Sequence, residues 1–458
     1  MFQNTANVAG SNNDLRAILL FERWASVLCK ARGHALVGSD GRAQRTWSEI
    51  EQESQGFLKE VQGDDSPVAL QVGNHASFPA LLLACWGADR AVCLLDAGSR
   101  DPARGDVERR IGIGLRIEAF GDELVFNKLD SGKPTPEGIV LYKLTSGTTS
   151  VPQPIGFRGE QIVADCDQVC ATMGIGGDDL NFGVIAFSHS YGFSNLITPL
   201  LCRGVPLVVA EDALPRAIQF GLERTGATVL PLVPAMFRAL CAVDSLSASL
   251  RLCISAGAPL EASVARQFRE RFGRKIHSFY GASECGGICY DRSESIDDRP
   301  GFVGEPMFGV KIEWIGSPQD SGSRIRVFSA AAAGDGTFEP SDLLAREGDG
   351  FRIVGREDDL MNCGGKKVAP AELERVLMTC PGISEGVVFG VRRDDGSDRI
   401  HALVVAPGGM DPAVIRAHCA GQLATWQIPR EIHSVGEIPR NDRGKISRRD
   451  LARTFGKI

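Results

Sequence analysis

A chain of 458 residues exceeds what one ordinary hydrophobic core accommodates, so two or three domains are expected. With 43% hydrophobic and 23% charged residues, the composition is that of a globular protein rather than a disordered or fibrous one. A formal charge of −7 excludes a globally basic nucleic-acid binder, so any phosphate must be met by a few placed groups.

Residues 1–14 are polar and Asn-rich, and the apolar patch Ile18-Leu19-Leu20-Phe21 is interrupted by Glu22 and Arg23. Neither a secretory leader nor a membrane anchor is expected, and no run approaches the roughly 18 apolar residues of a membrane span. Helical spacing of Leu15, Ile18, Leu19, Ala25 and Leu28 predicts an amphipathic helix over 14–32. Thr46-Trp47-Ser48-Glu49 reads as a capping box opening a second helix toward Val61. Strands at 68–72 and 91–95 flank a buried helix at 78–86, an order that implies a parallel sheet. The charged, Gly/Pro-punctuated segment 99–138 yields no assignment. Apolar runs at 183–187, 206–210, 228–232 and 252–255 predict further strands, and alternation at 310–315 and 324–328 predicts half-buried antiparallel ones. Near the C-terminus a helix opens at Pro370, strands follow at 385–391 and 400–405, and Asp411-Pro412 supplies the N-cap and first-turn proline of another helix. Thirteen cysteines at scattered spacings, with no CxxC pair, predict free thiols, a cytoplasmic location and no structural zinc.

The most informative stretch is Leu144-Thr145-Ser146-Gly147-Thr148-Thr149-Ser150-Val151-Pro152-Gln153-Pro154, directly after the strand-like run 138–142. Small hydroxyl residues around a glycine let the main chain approach a phosphate. The stretch resembles the phosphate loop T-S-G-T-T-G-x-P-K of the acyl-adenylate-forming superfamily, which includes acyl- and aryl-CoA synthetases, peptide-synthetase adenylation domains and luciferase. Ser150 and Gln153 replace the second glycine and the lysine. The resemblance continues in order from Thr46 to Leu451. It implies an α/β fold with a large N-terminal domain of stacked α/β sheets plus a small β subdomain, residues 1–355, followed by a small mobile α+β C-terminal domain, residues 356–458.

Phe279-Tyr280-Gly281-Ala282-Ser283-Glu284 is similar to Y-G-x-T-E, which implies Tyr280 beside adenine, Ser283 on a phosphate and Glu284 on Mg2+; one carboxylate suffices for a magnesium shared with nucleotide phosphates. Gly257-Ala258-Pro259 resembles the turn lining the adenine and acyl pocket. Asp342 stands where the family binds the ribose diol, and Arg356 and Asp358 match G-R-x-D-D, with Arg356 toward the nucleotide and Asp358 as the hinge. Gly364-Gly365 resembles the loop that approaches the CoA thiol; the plain alternative is a hairpin turn, which does not exclude that role. Lys445, in a P-x-x-x-x-G-K-x-x-R match, would bridge the carboxylate and the α-phosphate. Phe187-Ser188-His189-Ser190-Tyr191-Gly192 resembles a pocket motif in which amino-acid-activating relatives place an aspartate at the position of Ser188. Ser188, His189, Tyr191 and Gly192, with Gly257 and Gly281, are therefore expected around an acid that lacks an α-amino group.

The implied reaction is ATP-dependent formation of an acyl-AMP with release of pyrophosphate, then acyl transfer to a thiol, with ATP, Mg2+ and coenzyme A as cofactors. Coenzyme A is preferred because the sequence ends at 458, leaving no fused carrier domain. A stand-alone adenylating enzyme that loads a carrier-protein phosphopantetheine, and a catalytically weakened nucleotide- or acyl-binding relative, stand as alternatives. Expected partners are the small-molecule acid and CoA or a carrier protein, with no nucleic acid and no membrane span; a homodimer is left open.

Overall fold

The computed structural model describes residues 16–98, 103–145, 152–294, 299, 301–319, 322–393, 395–440 and 446–456. They divide into two compact units, one comprising residues up to Ile312 with Val327–Phe338, the other Glu313–Arg326 with Glu339–Ile458. The division falls ahead of Asp342, earlier in the chain than the boundary expected at 355/356.

In the first unit, Thr46 caps the helix Trp47–Val61 as its sequence implies: Glu49 N donates to Thr46 Oγ1 at 3.2 Å, and the Glu49 carboxylate takes the Thr46 N–H at 2.6 Å. Strands Val68–Gln71 and Val92–Leu94 pair in parallel around the helix Phe78–Gly87, an apolar helix buried along nearly its whole length. They belong to a six-stranded sheet whose order is Glu123–Lys128, Leu115–Phe120, Val68–Gln71, Val92–Leu94, Ile139–Thr145, Gln153–Arg158. The unassigned segment 99–138 supplies one of its edges, the antiparallel pair Leu115–Phe120 and Glu123–Lys128, after a helix Ala103–Ile111. That helix has little apolar face, and its surface carries Asp106 beside Arg109 and Arg110, a pattern that periodicity alone does not detect.

A second sheet runs through Ile276–Ala282, Leu252–Ser255, Val229–Leu232, Asn181–Gly183, Leu207–Val209 and His34–Gly38. Its central pairings are parallel, and their strands are continuous apolar runs because helices cover both faces. The strand expected at 183–187 ends at Gly183 instead. Asn74 is the reason: its Nδ2 donates to the carbonyls of Gly183 (3.2 Å) and Ile185 (3.1 Å), and its Oδ1 accepts the Phe187 N–H at 2.9 Å, so a side chain replaces the ladder partner and the chain leaves the sheet. Past 309, the expected extended segments are present as Lys311–Trp314 and Ile325–Phe328.

In the second unit, beyond the segment Glu313–Arg326, Asp342–Glu347 and Gly350–Arg356 form an antiparallel pair, followed by a short hairpin Met361–Cys363 and Lys366–Val368. Glu385–Arg392, Asp398–Val405 and Glu431–Ser434 form its three-stranded sheet, packed with the helices Pro370–Leu377, Pro412–Ala420 and Arg448–Phe455. Asp411 caps the second of these by accepting the Ala413 N–H at 2.8 Å, as its Asp-Pro pair implies.

Candidate active site

In the first unit the strand Ile276–Ala282 turns back on Gly286–Tyr290, pairing Gly281 with Gly287 and Ala282 with Gly286. Ser283, Glu284 and Cys285 therefore sit at the tip of a tight hairpin. Gly281 tolerates no side chain, since a Cβ there would lie 2.7 Å from the Gly286 carbonyl oxygen. Glu284 is half-buried, and its main-chain carbonyl accepts the Ala333 N–H at 2.9 Å.

The turn that follows the Asn74-anchored segment reaches this tip. Ser190 Oγ donates to Ser283 Oγ at 2.9 Å, so the expected acid-side residues and the expected phosphate-side residues meet in one hydrogen bond. Tyr191 is oriented by its hydroxyl, which donates to the Ile254 carbonyl at 2.9 Å, and its ring stands 5.9 Å from that of Phe279. Burial pushes its phenol well above the usual range, which keeps it a neutral donor. Gly192 is required on packing grounds, because a Cβ would lie 2.1 Å from the Ala186 carbonyl oxygen. His189 and Ser188 are half-buried, with His189 Nε2 3.4 Å from Asp96 Oδ2. Gly257, at φ +87°, and the adjoining Ala258 and Pro259 are exposed on the turn after Leu252–Ser255. Tyr280 and Phe279 are buried.

Thr145 ends the strand Ile139–Thr145 and pairs with Gln153. Ser146, Gly147, Thr148 and Thr149 lie outside the described residues, as does Lys445. Gln153 is exposed, and Arg110 Nη1 donates to its Oε1 at 3.4 Å, so a cation stands beside the position where the resembled loop carries its lysine. The Arg110 guanidinium also meets Asp106 at 2.9 Å. Sequence reasoning passed over Arg110 because it belongs to the unassigned segment.

In the second unit Asp342 and Arg356 lie opposite each other in the antiparallel register, with 3.3 Å between Asp342 Oδ1 and Arg356 Nη1. Arg356 also forks onto Asp358, Nε to Oδ1 at 3.0 Å and Nη2 to Oδ2 at 2.9 Å, and these carboxylates hold its guanidinium firmly protonated. Gly364 and Gly365, at φ +65° and +85°, form the two-residue turn of the hairpin, and a Cβ at either would meet open space. The turn conformation and an open approach thus coexist at this pair. Arg448 is a residue whose role only the fold reveals. It bonds Asp359 (2.8 Å), Glu374 (2.8 Å) and the Val388 carbonyl (3.0 Å), tying the last helix to the turn that contains Asp358.

Among the described residues no group of three or more His, Cys, Asp or Glu side chains is placed to hold a metal ion by itself. No helix among them is long and apolar enough to cross a membrane.

Two family models match the chain, "AMP-binding enzyme" over residues 25–319 and "AMP-binding enzyme C-terminal domain" over residues 372–445. Among curated relatives, a 3,4-dihydroxybenzoate–[aryl-carrier protein] ligase of Bacillus anthracis is 26% identical over 334 residues, covering 72% of this chain and 78% of that protein. A 4-hydroxybenzoate–CoA/benzoate–CoA ligase of Rhodopseudomonas palustris is 25% identical over 360 residues, covering 71% and 67%. The crystal structure of the anthranilate CoA ligase AuaEII in complex with anthranoyl-AMP superposes with a TM-score of 0.80 at 20% identity, over 98% of this chain and 99% of that one, a likeness of fold. The chain belongs to the AMP-binding enzyme family and is an AMP-forming acid–thiol ligase.

Proposed function

We propose that the acid activated is an aryl or short-to-medium acyl carboxylate without an α-amino group, and that the thiol acceptor is coenzyme A. The observation that carries this reading is the Ser190–Ser283 bond, which sets the acid-side turn directly against the hairpin tip of Ser283 and Glu284. A carboxylate seated by Ser188, His189 and Gly257 then lies next to the phosphates it must attack. Ser188 offers a hydroxyl where neutralising a substrate ammonium would need a carboxylate, and an unpaired buried cation is costly.

In the first half-reaction the carboxylate oxygen attacks the α-phosphate of ATP, the P–O bond to pyrophosphate breaks, and a mixed anhydride forms. Ser283 donates to phosphate oxygen, Asp342 accepts from the ribose diol, and Lys445 offsets charge that develops at the α-phosphate. Glu284 fits a magnesium held mainly by nucleotide oxygens, which needs only one or two protein carboxylates. In the second half-reaction the thiolate attacks the acyl carbon and AMP leaves, with Gly364-Gly365 lining the thiol's path and Asp358 as the hinge between the two states. Arg110 supplies the cation that Gln153 does not. The free thiols of all thirteen cysteines suit a reducing, cytoplasmic setting.

The two relatives quoted, named for dihydroxybenzoate and benzoate substrates, support an aromatic acid within this class. ATP–pyrophosphate exchange with a panel of benzoates, alkanoates and amino acids, followed by acyl transfer to CoA or to purified carrier proteins, tests the reading. Exchange with a proteinogenic amino acid and with no aryl or alkyl acid would overturn it, and transfer to a carrier protein but not to CoA would replace the acceptor.

A further inference from the structure

The strand Ile139–Thr145 is apolar until its fifth residue, Lys143, which is only 4% exposed. Its ammonium lies 3.7 Å from Asp165 Oδ2, donates to Ser194 Oγ at 3.4 Å, and sits 4.9 Å from the centre of the Phe157 ring. Asp165 is 3% exposed; its Oδ2 faces the Lys143 ammonium as an ion pair and accepts from the Ser194 hydroxyl, and its Oδ1 accepts from the Gly287 N–H, 3.3 Å away. Gly286 is fitted to this carboxylate. At φ +70° its missing Cβ would stand 2.1 Å from Asp165 Oδ1, so only glycine lets the main chain come this close.

Each partner of Asp165 belongs to a different wall of the candidate site. Lys143 is two residues from Thr145, at the end of the strand that leads into the phosphate-loop stretch. Ser194 lies in the π-helical stretch Phe193–Ile197, which directly continues Ser190-Tyr191-Gly192 on the acid side; such wide turns often mark functional positions. Gly287 follows Glu284 by three residues on the return strand of the hairpin. A buried ion pair often gives no more stability than apolar residues of the same volume, and its best-attested use is to fix which partners meet and in what register.

We infer that Lys143 and Asp165 form a positioning pair that holds the phosphate-loop strand, the acid-side turn and the Glu284 hairpin in one arrangement for adenylation. Neither residue touches substrate; both act through the segments they join. The inference rests on the ligase reading for its kinetic consequence only.

The test is the double variant Lys143→Met with Asp165→Asn, which removes both charges together and keeps an acceptor for Gly287, with Ser194→Ala as a milder variant. Exchange kcat is expected to fall about 10- to 100-fold in the double variant, the scale of a misplacement on the order of 1 Å, while the KM for ATP moves less than about threefold and the melting temperature stays within a few degrees. Ser194→Ala is expected to lose about 3- to 10-fold by the same reasoning. Amide hydrogen exchange reads the pair independently of turnover: segments 139–145, 190–197 and 284–287 are expected to loosen together in both variants. Wild-type kcat in the double variant, or loosening confined to 139–145, would overturn the positioning pair. Silence of the wild-type chain in pyrophosphate exchange would count against the ligase reading instead, and the hydrogen-exchange pattern would still decide the pair.

Discussion

The Arg110–Gln153 contact sets up a double-mutant cycle with an ordered outcome. A hydrogen bond to a charged phosphate contributes about 1.5–3 kcal/mol, or roughly 10- to 150-fold in affinity. If Arg110 provides that contact, Arg110→Ala raises the apparent KM for ATP by at least about tenfold. Gln153→Lys alone gains little, because the new ammonium stands beside Arg110, whose Nη1 is 3.4 Å from the present Gln153 Oε1. Two unit charges about 4 Å apart repel by about 1 kcal/mol in water and about 4 kcal/mol at an effective dielectric of 20. Arg110 is 43% exposed and already paired with Asp106, so solvent screening keeps the repulsion near the lower figure. Gln153→Lys should therefore lower KM by less than about fivefold in the wild-type background, yet restore most of the loss in Arg110→Ala. The assay is ATP-dependent pyrophosphate exchange at saturating acid, with KM for ATP measured in all four proteins. A wild-type KM in Arg110→Ala, together with the same gain from Gln153→Lys in both backgrounds, would remove Arg110 from phosphate binding and leave it as a solvated helix residue.

Gly364→Leu should spare pyrophosphate exchange and depress CoA-dependent release of AMP from synthetic acyl-adenylate, while Gly364→Asn, which tolerates φ > 0, should disturb both far less; equal loss of both activities in Gly364→Leu would contradict the assigned path. Lys445→Ala should do the reverse, abolishing acyl-AMP formation while thioester formation from supplied acyl-AMP survives, and intact exchange in this variant would remove Lys445 from the mechanism. Burial lowers the pKa of His277 below its ordinary 6.5, and its Nδ1 meets the Asp291 carbonyl at 2.8 Å. The folded state thus prefers the neutral ring, its contribution is complete above pH 6.5, and stability is lost as pH falls below that value, by at most about 1.4 kcal/mol per pH unit for one proton. Melting temperatures from pH 8 to 5.5 should show a shallower acid-side slope in His277→Gln than in the wild type, and identical slopes would count against this assignment.

Local chemistry was readable wherever a short segment carries its own partners. The Thr46–Glu49 capping box, the Asp411-Pro412 helix start and the Gly364-Gly365 turn are each decided within a few residues, so spacing and residue type suffice. The continuous apolar strands of the parallel sheet are equally plain, because burial on both faces erases polar alternation. The order of motifs along the chain likewise carries the family, since each needs only a loop at the end of a strand. What the sequence could not disclose depends on residues far apart in the chain. Asn74 ends the strand at Gly183 from more than a hundred positions away, and Arg110 reaches Gln153 from a helix whose charges mask any apolar period. Lys143 looks out of place in its strand until Asp165, Ser194 and Gly287 are brought around it, because a buried charge is made tolerable only by partners that the tertiary structure supplies.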